Sequence, residues 1–100
     1  MAKKKTPVVI VESAAADLED ILDWYREELV PDVGVELVKK IRRRLTQLQA
    51  FPEIGREVPE FNDPTIRELI ESPFRIVYRF DGEAVSIVRV WRCERLMKAL

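Results

Sequence analysis

The chain has no histidine and a single cysteine, Cys93, among its 100 residues. Those two shortages remove whole classes of chemistry. Neither a zinc site of the usual ligand types nor a Cys-His or Ser-His-Asp nucleophile system can be assembled. One thiol cannot form an internal disulfide, which fits a reducing, cytoplasmic setting. Glycine is scarce too, at three residues, and none falls in a phosphate-cradling pattern. No cofactor and no metal is therefore expected. Long apolar runs are also missing: Val8 to Val11 is far too short for a signal peptide or a membrane span, so no membrane partner is expected. Net charge is the last absence, because 17 Lys and Arg stand against 18 Asp and Glu. The chain as a whole carries no field that would attract nucleic acid.

What is present suits one compact domain over residues 1–100, and 47% hydrophobic content supplies a modest core. Residues 1–6, with Lys3 to Lys5, are expected to be a disordered, solvated terminus. "PVVIVE" is short and β-branched and reads as a buried strand. Ser13 can then cap a helix whose inner face is Leu18, Ile21, Leu22, Tyr25 and Leu29, with Asp17, Glu19, Asp20, Asp23 and Arg26 pointing elsewhere. After Pro31, Asp32 is the next candidate cap, and Gly34, Leu37, Val38, Ile41, Leu45 and Leu48 repeat the pattern until Phe51 and Pro52 stop it. Residues 52–64 hold Pro52, Pro59, Pro64 and Gly55 and read as an irregular loop. "IRELI", "FRIVYRF" and "EAVSIVRVW" follow as strands, the last two joined by Asp81-Gly82, a two-residue hairpin signal. Segregated helices and strands in this β-α-α-β-β-β order predict an α+β fold, a mainly antiparallel sheet of about four strands with a helical hairpin on one face.

The Asp81-Gly82 turn predicts a register with Phe80 opposite Glu83, Tyr78 opposite Val85, Ile76 opposite Ile87 and Phe74 opposite Arg89. That face should meet the helices. Alternation then sends Arg75, Val77, Arg79, Ala84, Ser86, Val88, Val90 and Arg92 to the other face, and three valines there suggest that a partner covers it. Arg67, Arg75, Arg79, Arg89, Arg92 and Arg95 cluster in the last third without a lysine among them. Arginine is favoured where phosphate or carboxylate is gripped in a plane. Val77, Arg79, Val88, Val90, Trp91 and Arg92 are thus the candidate partner-binding residues, Trp91 being core, contact or stacking platform. "KKIRRR", Lys39 to Arg44, reads as the solvated back of a helix. Glu68, Glu71 and Asp81 are scattered carboxylates with no clear pairing.

"FPEIGR", "RELI", "FRIVYR" with its D-G turn, and a last strand ending among arginines resemble the RelE/ParE toxins of bacterial type II toxin-antitoxin systems, over nearly the whole chain. The resemblance implies the same strand, helical hairpin and sheet order. It also implies a toxin neutralised by a cognate antitoxin in a hetero-oligomer. Two activities belong to that family: ribosome-dependent cleavage of messenger RNA in the RelE branch and poisoning of DNA gyrase in the ParE branch. In the ribonuclease branch Arg75 and Arg95 would stabilise the scissile phosphate, with Arg67 standing where that branch has lysine. Glu68 would repel phosphate, and no histidine or tyrosine follows Trp91 to move a proton. Where ParE-like sequences carry a histidine, Arg92 stands here. The resemblance therefore favours the ParE-like branch and DNA gyrase as target. The alternatives are an endoribonuclease acting on mRNA at the ribosome, and a relic that only binds its antitoxin.

Overall fold

The computed structural model describes residues 5–93, and the apolar periodicities there become β1 (Val8–Ile10), α1 (Glu12–Glu27), α2 (Pro31–Ala50), β2 (Arg56–Glu57), β3 (Ile66–Glu71), β4 (Phe74–Phe80) and β5 (Val85–Arg92). The strands form one sheet in the order β1-β5-β4-β3-β2. The α+β fold and its helical hairpin are as the sequence predicts. Two features of the sheet differ. A fifth strand, β2, forms inside the proline-rich loop by pairing with β3, and β1 lies parallel to β5, so the sheet is mixed.

Both helices bury the faces their periodicities mark. Ala14, Leu18 and Ile21 of α1 and Val38, Ile41, Leu45 and Leu48 of α2 pack against Leu69, Phe74, Ile76, Tyr78, Val85, Ile87 and Val90. Each large side chain sealed in this core is worth about 1.5–3 kcal/mol of transfer free energy. The helix ends differ from those the sequence predicts. α1 begins two residues early with Val11 at its N-cap, and the Ser13 hydroxyl instead donates to the Val88 carbonyl at 2.8 Å. α2 starts on Pro31, with Val30 at the N-cap, where proline's missing N–H does no harm. α1 stops at Glu27, and Leu29 adopts φ 63° and is 86% exposed, so the inner face loses its last expected member. In the N-terminal stretch, the Thr6 amide donates to the Gln49 carbonyl at 2.8 Å; the rest of the expected disordered segment lies largely outside the described residues.

The β4–β5 register departs from a two-residue turn. Phe80 pairs with Val85 and Tyr78 with Ile87, because Asp81 turns its carboxylate on the amides of Glu83 and Ala84, at 2.8 and 2.9 Å. These bonds hold the carboxyl below its usual range, and they organise a four-residue loop in an Asx-type turn. A shift of two keeps each side chain on its face. A further irregularity between Val77 and Tyr78 does not: the strand opposite gains a residue at Val88, so Ile76 meets Val90, Arg75 meets Trp91 and Phe74 meets Arg92. Val90 is therefore carried into the helix-side core, and Trp91 to the outer face. One extra residue in a bulged strand inverts everything beyond it.

The proline-rich loop closes over the outer face. Val58 and Phe61 pack with Ile66, Val77, Val88 and Trp91, so Val77 is completely buried. The loop is fastened by Tyr78, whose hydroxyl donates to the Pro52 carbonyl at 2.8 Å and accepts from the Gly55 amide at 2.9 Å. Burial pushes that phenol above its usual pKa. A Cβ on Gly55 would lie 2.6 Å from both the Tyr78 hydroxyl and the Glu68 carbonyl, so the motif "FPEIGR" needs glycine where backbone meets ring.

Candidate functional site

The sheet arginines occupy positions set by strand alternation, and each meets a group from another part of the chain. Glu68, fully buried on β3, is held from two sides. Arg56 Nε donates to one of its oxygens at 2.6 Å and Arg75 Nε to the other at 2.7 Å. Arg75, itself buried, also sets Nη2 at 2.6 Å from Glu68 and reaches Glu60 of the loop at 3.1 and 3.5 Å. The bond from Arg75 holds the Glu60 carboxyl below its usual pKa. For Arg75, burial pulls the guanidinium pKa down, but bonds to Glu60 and Glu68 outweigh it and the net shift is upward. The guanidinium therefore stays charged and is enclosed by two carboxylates.

Its neighbours are similarly occupied. Arg67 clamps the loop through the carbonyls of Gly55 at 2.8 Å and Glu53 at 3.3 Å. Arg79 reaches Asp63 at 3.7 Å and the Thr65 hydroxyl at 3.3 Å. Asp63 is kept below its ordinary pKa mainly by the Thr65 hydroxyl and then by its amide. Arg89 binds Asp17 of α1 through two bonds of 2.8 Å and lies 4.6 Å from the centre of the Trp91 ring. Asp17, which the helical periodicity points away from the core, is instead turned inward. It is buried because β1 pairs with β5 only as far as Ile87, and its carboxylate accepts the Val90 amide at 2.9 Å. A helix side chain thus completes the strand's ladder.

A second feature is a groove of about 300 Å³ between α1 and the end of β5, lined by Asp17, Asp20, Ile21, Trp24, Tyr25, Phe74, Val90, Trp91 and Arg92. Trp24 is half exposed, and the Arg92 guanidinium lies 5.9 Å from its ring and 5.6 Å from that of Phe74. Cation and aromatic faces attract at this spacing.

Of the expected partner-binding residues, Val90, Trp91 and Arg92 line the groove. Val77 lies beneath the loop, Val88 is half buried beside it, and Arg79 is exposed near Asp63. The expectation that the valine face lies open to a partner is thus corrected for Val77 and Val90: the chain's own loop covers the first and the bulge turns the second inward. The structure does not bring the two predicted strand arginines together: Arg75 meets Glu68 alongside Arg56, Arg67 is turned to the Gly55 and Glu53 carbonyls, and Arg95 lies outside the described residues. Sequence reasoning missed Asp17, Trp24 and Glu60. Only Trp24 left a signal, as an aromatic just off the apolar face of its helix.

A helical hairpin against one face of a five-stranded sheet, with a loop strapped across the other, defines the small α+β fold of the RelE and ParE toxins. The RelBE2 toxin-antitoxin complex of Mycobacterium tuberculosis shares it, with a TM-score of 0.59 at 20% identity over 88% of this chain and 98% of the matched chain. Similarity rises toward ParE proteins. A chain of the chromosomal ParDE system of P. aeruginosa matches with a TM-score of 0.74 and 29% identity, covering 90% of this chain and 98% of its own. Toxin ParE3 of Caulobacter vibrioides is 26% identical over 83 residues, 83% of this chain and 82% of that relative. The model of the family "ParE toxin of type II toxin-antitoxin system, parDE" matches residues 8–97. The chain belongs to the ParE toxin family. Among the described residues, no helix is long and apolar enough to cross a membrane.

Proposed function

We propose that this chain poisons DNA gyrase in the cytoplasm without bond chemistry of its own, and that a cognate antitoxin neutralises it. The supporting observation is the state of Arg75. In a ribonuclease reading its guanidinium would receive the scissile phosphate, yet Glu68 and Glu60 occupy it at 2.7 and 3.1 Å. An anion entering there would meet two carboxylates before it met a cation. Histidine is absent from the whole chain, so proton transfer would also lack its usual carrier.

The groove between α1 and β5 supports the antitoxin half. Its walls combine Trp24, Ile21 and Phe74 with Asp17 and Asp20 on one side and Arg92 on the other. An amphipathic peptide segment with an apolar anchor and charges of both signs would complement it.

Induction of the chain without its antitoxin tests the target. Double-strand breaks, a DNA-damage response and filamentous cells, with ribosome-bound transcripts intact, are the expected outcome. Codon-positioned cuts in those transcripts that disappear in Arg75→Ala would overturn the reading. For the antitoxin, Trp24→Ala should weaken complex formation at least tenfold by titration calorimetry while leaving the melting temperature of the free toxin near wild type. Unchanged affinity would exclude the groove.

A further inference from the structure

The chain's cations are not evenly dispersed. Lys39, Lys40, Arg42, Arg43 and Arg44 stand together on α2, and no carboxylate occurs between Glu36 and Glu53. Lys39, Lys40, Arg42 and Arg43 are exposed. Lys39 makes only a loose surface pair with Glu36 at 3.4 Å, and Arg44 turns inward to Glu71 at 3.6 Å. Lys40, Arg42 and Arg43 form no ion pair with any described residue, unlike the arginines of the sheet. Lys5 adds to the same region, since the backbone next to it is tied by Thr6 to Gln49 near the end of α2.

The surface between these cations is polar. Thr46 and Gln47 are exposed on the next turn, while Ile41, Leu45 and Leu48 face the core. A folded protein partner would need an apolar anchor to dock here, and between Lys39 and Gln47 no exposed residue supplies one. Val35, one turn before Lys39 on α2, is a single partly exposed valine at the margin of this face, and the other exposed apolar side chains of the hairpin, Trp24, Leu29, Val30 and Val33, lie outside the cationic stretch. Polar, cationic and nearly flat in chemistry, this face complements a regular array of phosphates.

The geometry also selects among polyanions. At about 100° per residue, Lys39 and Arg43 share the outermost row, while Arg42 and Lys40 flank it on opposite sides. A helix so decorated fits the major groove of B-form DNA, about 12 Å wide, with its flanking cations toward the phosphates of the two walls. The major groove of duplex RNA is too narrow to admit it. We propose that the outward face of α2 is a binding surface for the sugar-phosphate backbone of duplex DNA, independent of base sequence. This inference stands apart from the gyrase reading and is tested without gyrase.

Fluorescence anisotropy of the full chain with a labelled duplex of about two helical turns provides the measurement. With about four phosphates neutralised, affinity should fall roughly 100-fold between about 50 and 200 mM salt. Lys40→Gln alone should reduce the salt slope by about one, whereas Arg26→Gln, an exposed cation on α1, should leave it unchanged. The combined Lys39→Gln, Lys40→Gln, Arg42→Gln, Arg43→Gln variant should lose nearly all salt-dependent binding while its circular dichroism stays that of the wild type, because glutamine is a comparable helix former. Duplex RNA of equal length should bind at least tenfold more weakly. Three results would each overturn the proposal: no binding of wild type at the lower salt, equal binding by the combined variant, or equal affinity for an acidic peptide of matched charge. The last would make the face a receptor for acidic protein segments instead.

Discussion

Arg67, Arg75, Arg79 and Arg89 on the sheet each meet a carboxylate or carbonyl from another element, whereas Lys40, Arg42 and Arg43 on α2 meet no carboxylate among the described residues. From the sequence, the two sets invite the opposite assignment, since arginines among valines suggest a ligand and a run of mixed cations on a helix suggests a solvated back. The difference lies in what the fold brings alongside. Loop residues Glu53, Glu60 and Asp63 cross the sheet and consume its donors, while on α2 only Arg44 reaches another element's carboxylate, that of Glu71, and Lys40, Arg42 and Arg43 face away from the acidic side chains. Clustering of charge along a chain therefore says little about availability; availability depends on the sign of whatever packs opposite.

If the sheet arginines are clamps, removing their partners must damage the fold. Glu68→Ala should have the largest effect, about 3–5 kcal/mol in urea denaturation, because it leaves Arg75 buried with half its partners. Asp17→Ala comes next, at about 2–3 kcal/mol, for losing two bonds to Arg89 and one to the Val90 amide. Either variant melting like the wild type would dissolve the distinction between the two regions.

Glu60 should contribute less, because it is partly open to solvent. Its folded pKa is below the ordinary 4.5, so the ionised form favours the folded state. That contribution is complete above the unfolded pKa and fades as pH falls through the folded one. Glu60→Gln should flatten the stability profile below about pH 4.5, with at most about 1 kcal/mol at neutral pH. Smallest of all, Lys40→Gln and Arg43→Gln should each change stability by less than about 0.5 kcal/mol. A larger loss would mean that α2 has partners resembling those of the sheet.

The sequence was most legible where period and burial coincide. The apolar rows of α1 and α2 and the alternation in β4 mark their inner faces correctly, since Leu18, Ile41, Ile76 and Tyr78 all reach the core. Legibility ended at Val88, where a bulge moved Val90 inward and Trp91 outward without any local signature in composition. It also ended at the loop, because nothing in "PEIGREVPEFNDP" reveals that Val58 and Phe61 fold back over Val77. The Arg75, Glu60 and Glu68 cluster was hidden for a related reason. Its members lie 7 and 15 residues apart along the chain, and only the β3–β4 register together with the strap brings them together.

The way α1 finishes the rim of β5 has a consequence for solubility. Ser13 and Asp17 take up the Val88 carbonyl and the Val90 amide, groups that would otherwise be free to recruit a strand from a neighbouring molecule. An unplugged rim of this kind is a template for intermolecular pairing and fibril growth. The two polar side chains therefore act as molecular stoppers against self-assembly. Their joint replacement by alanine should produce concentration-dependent light scattering at temperatures where the fold itself still stands.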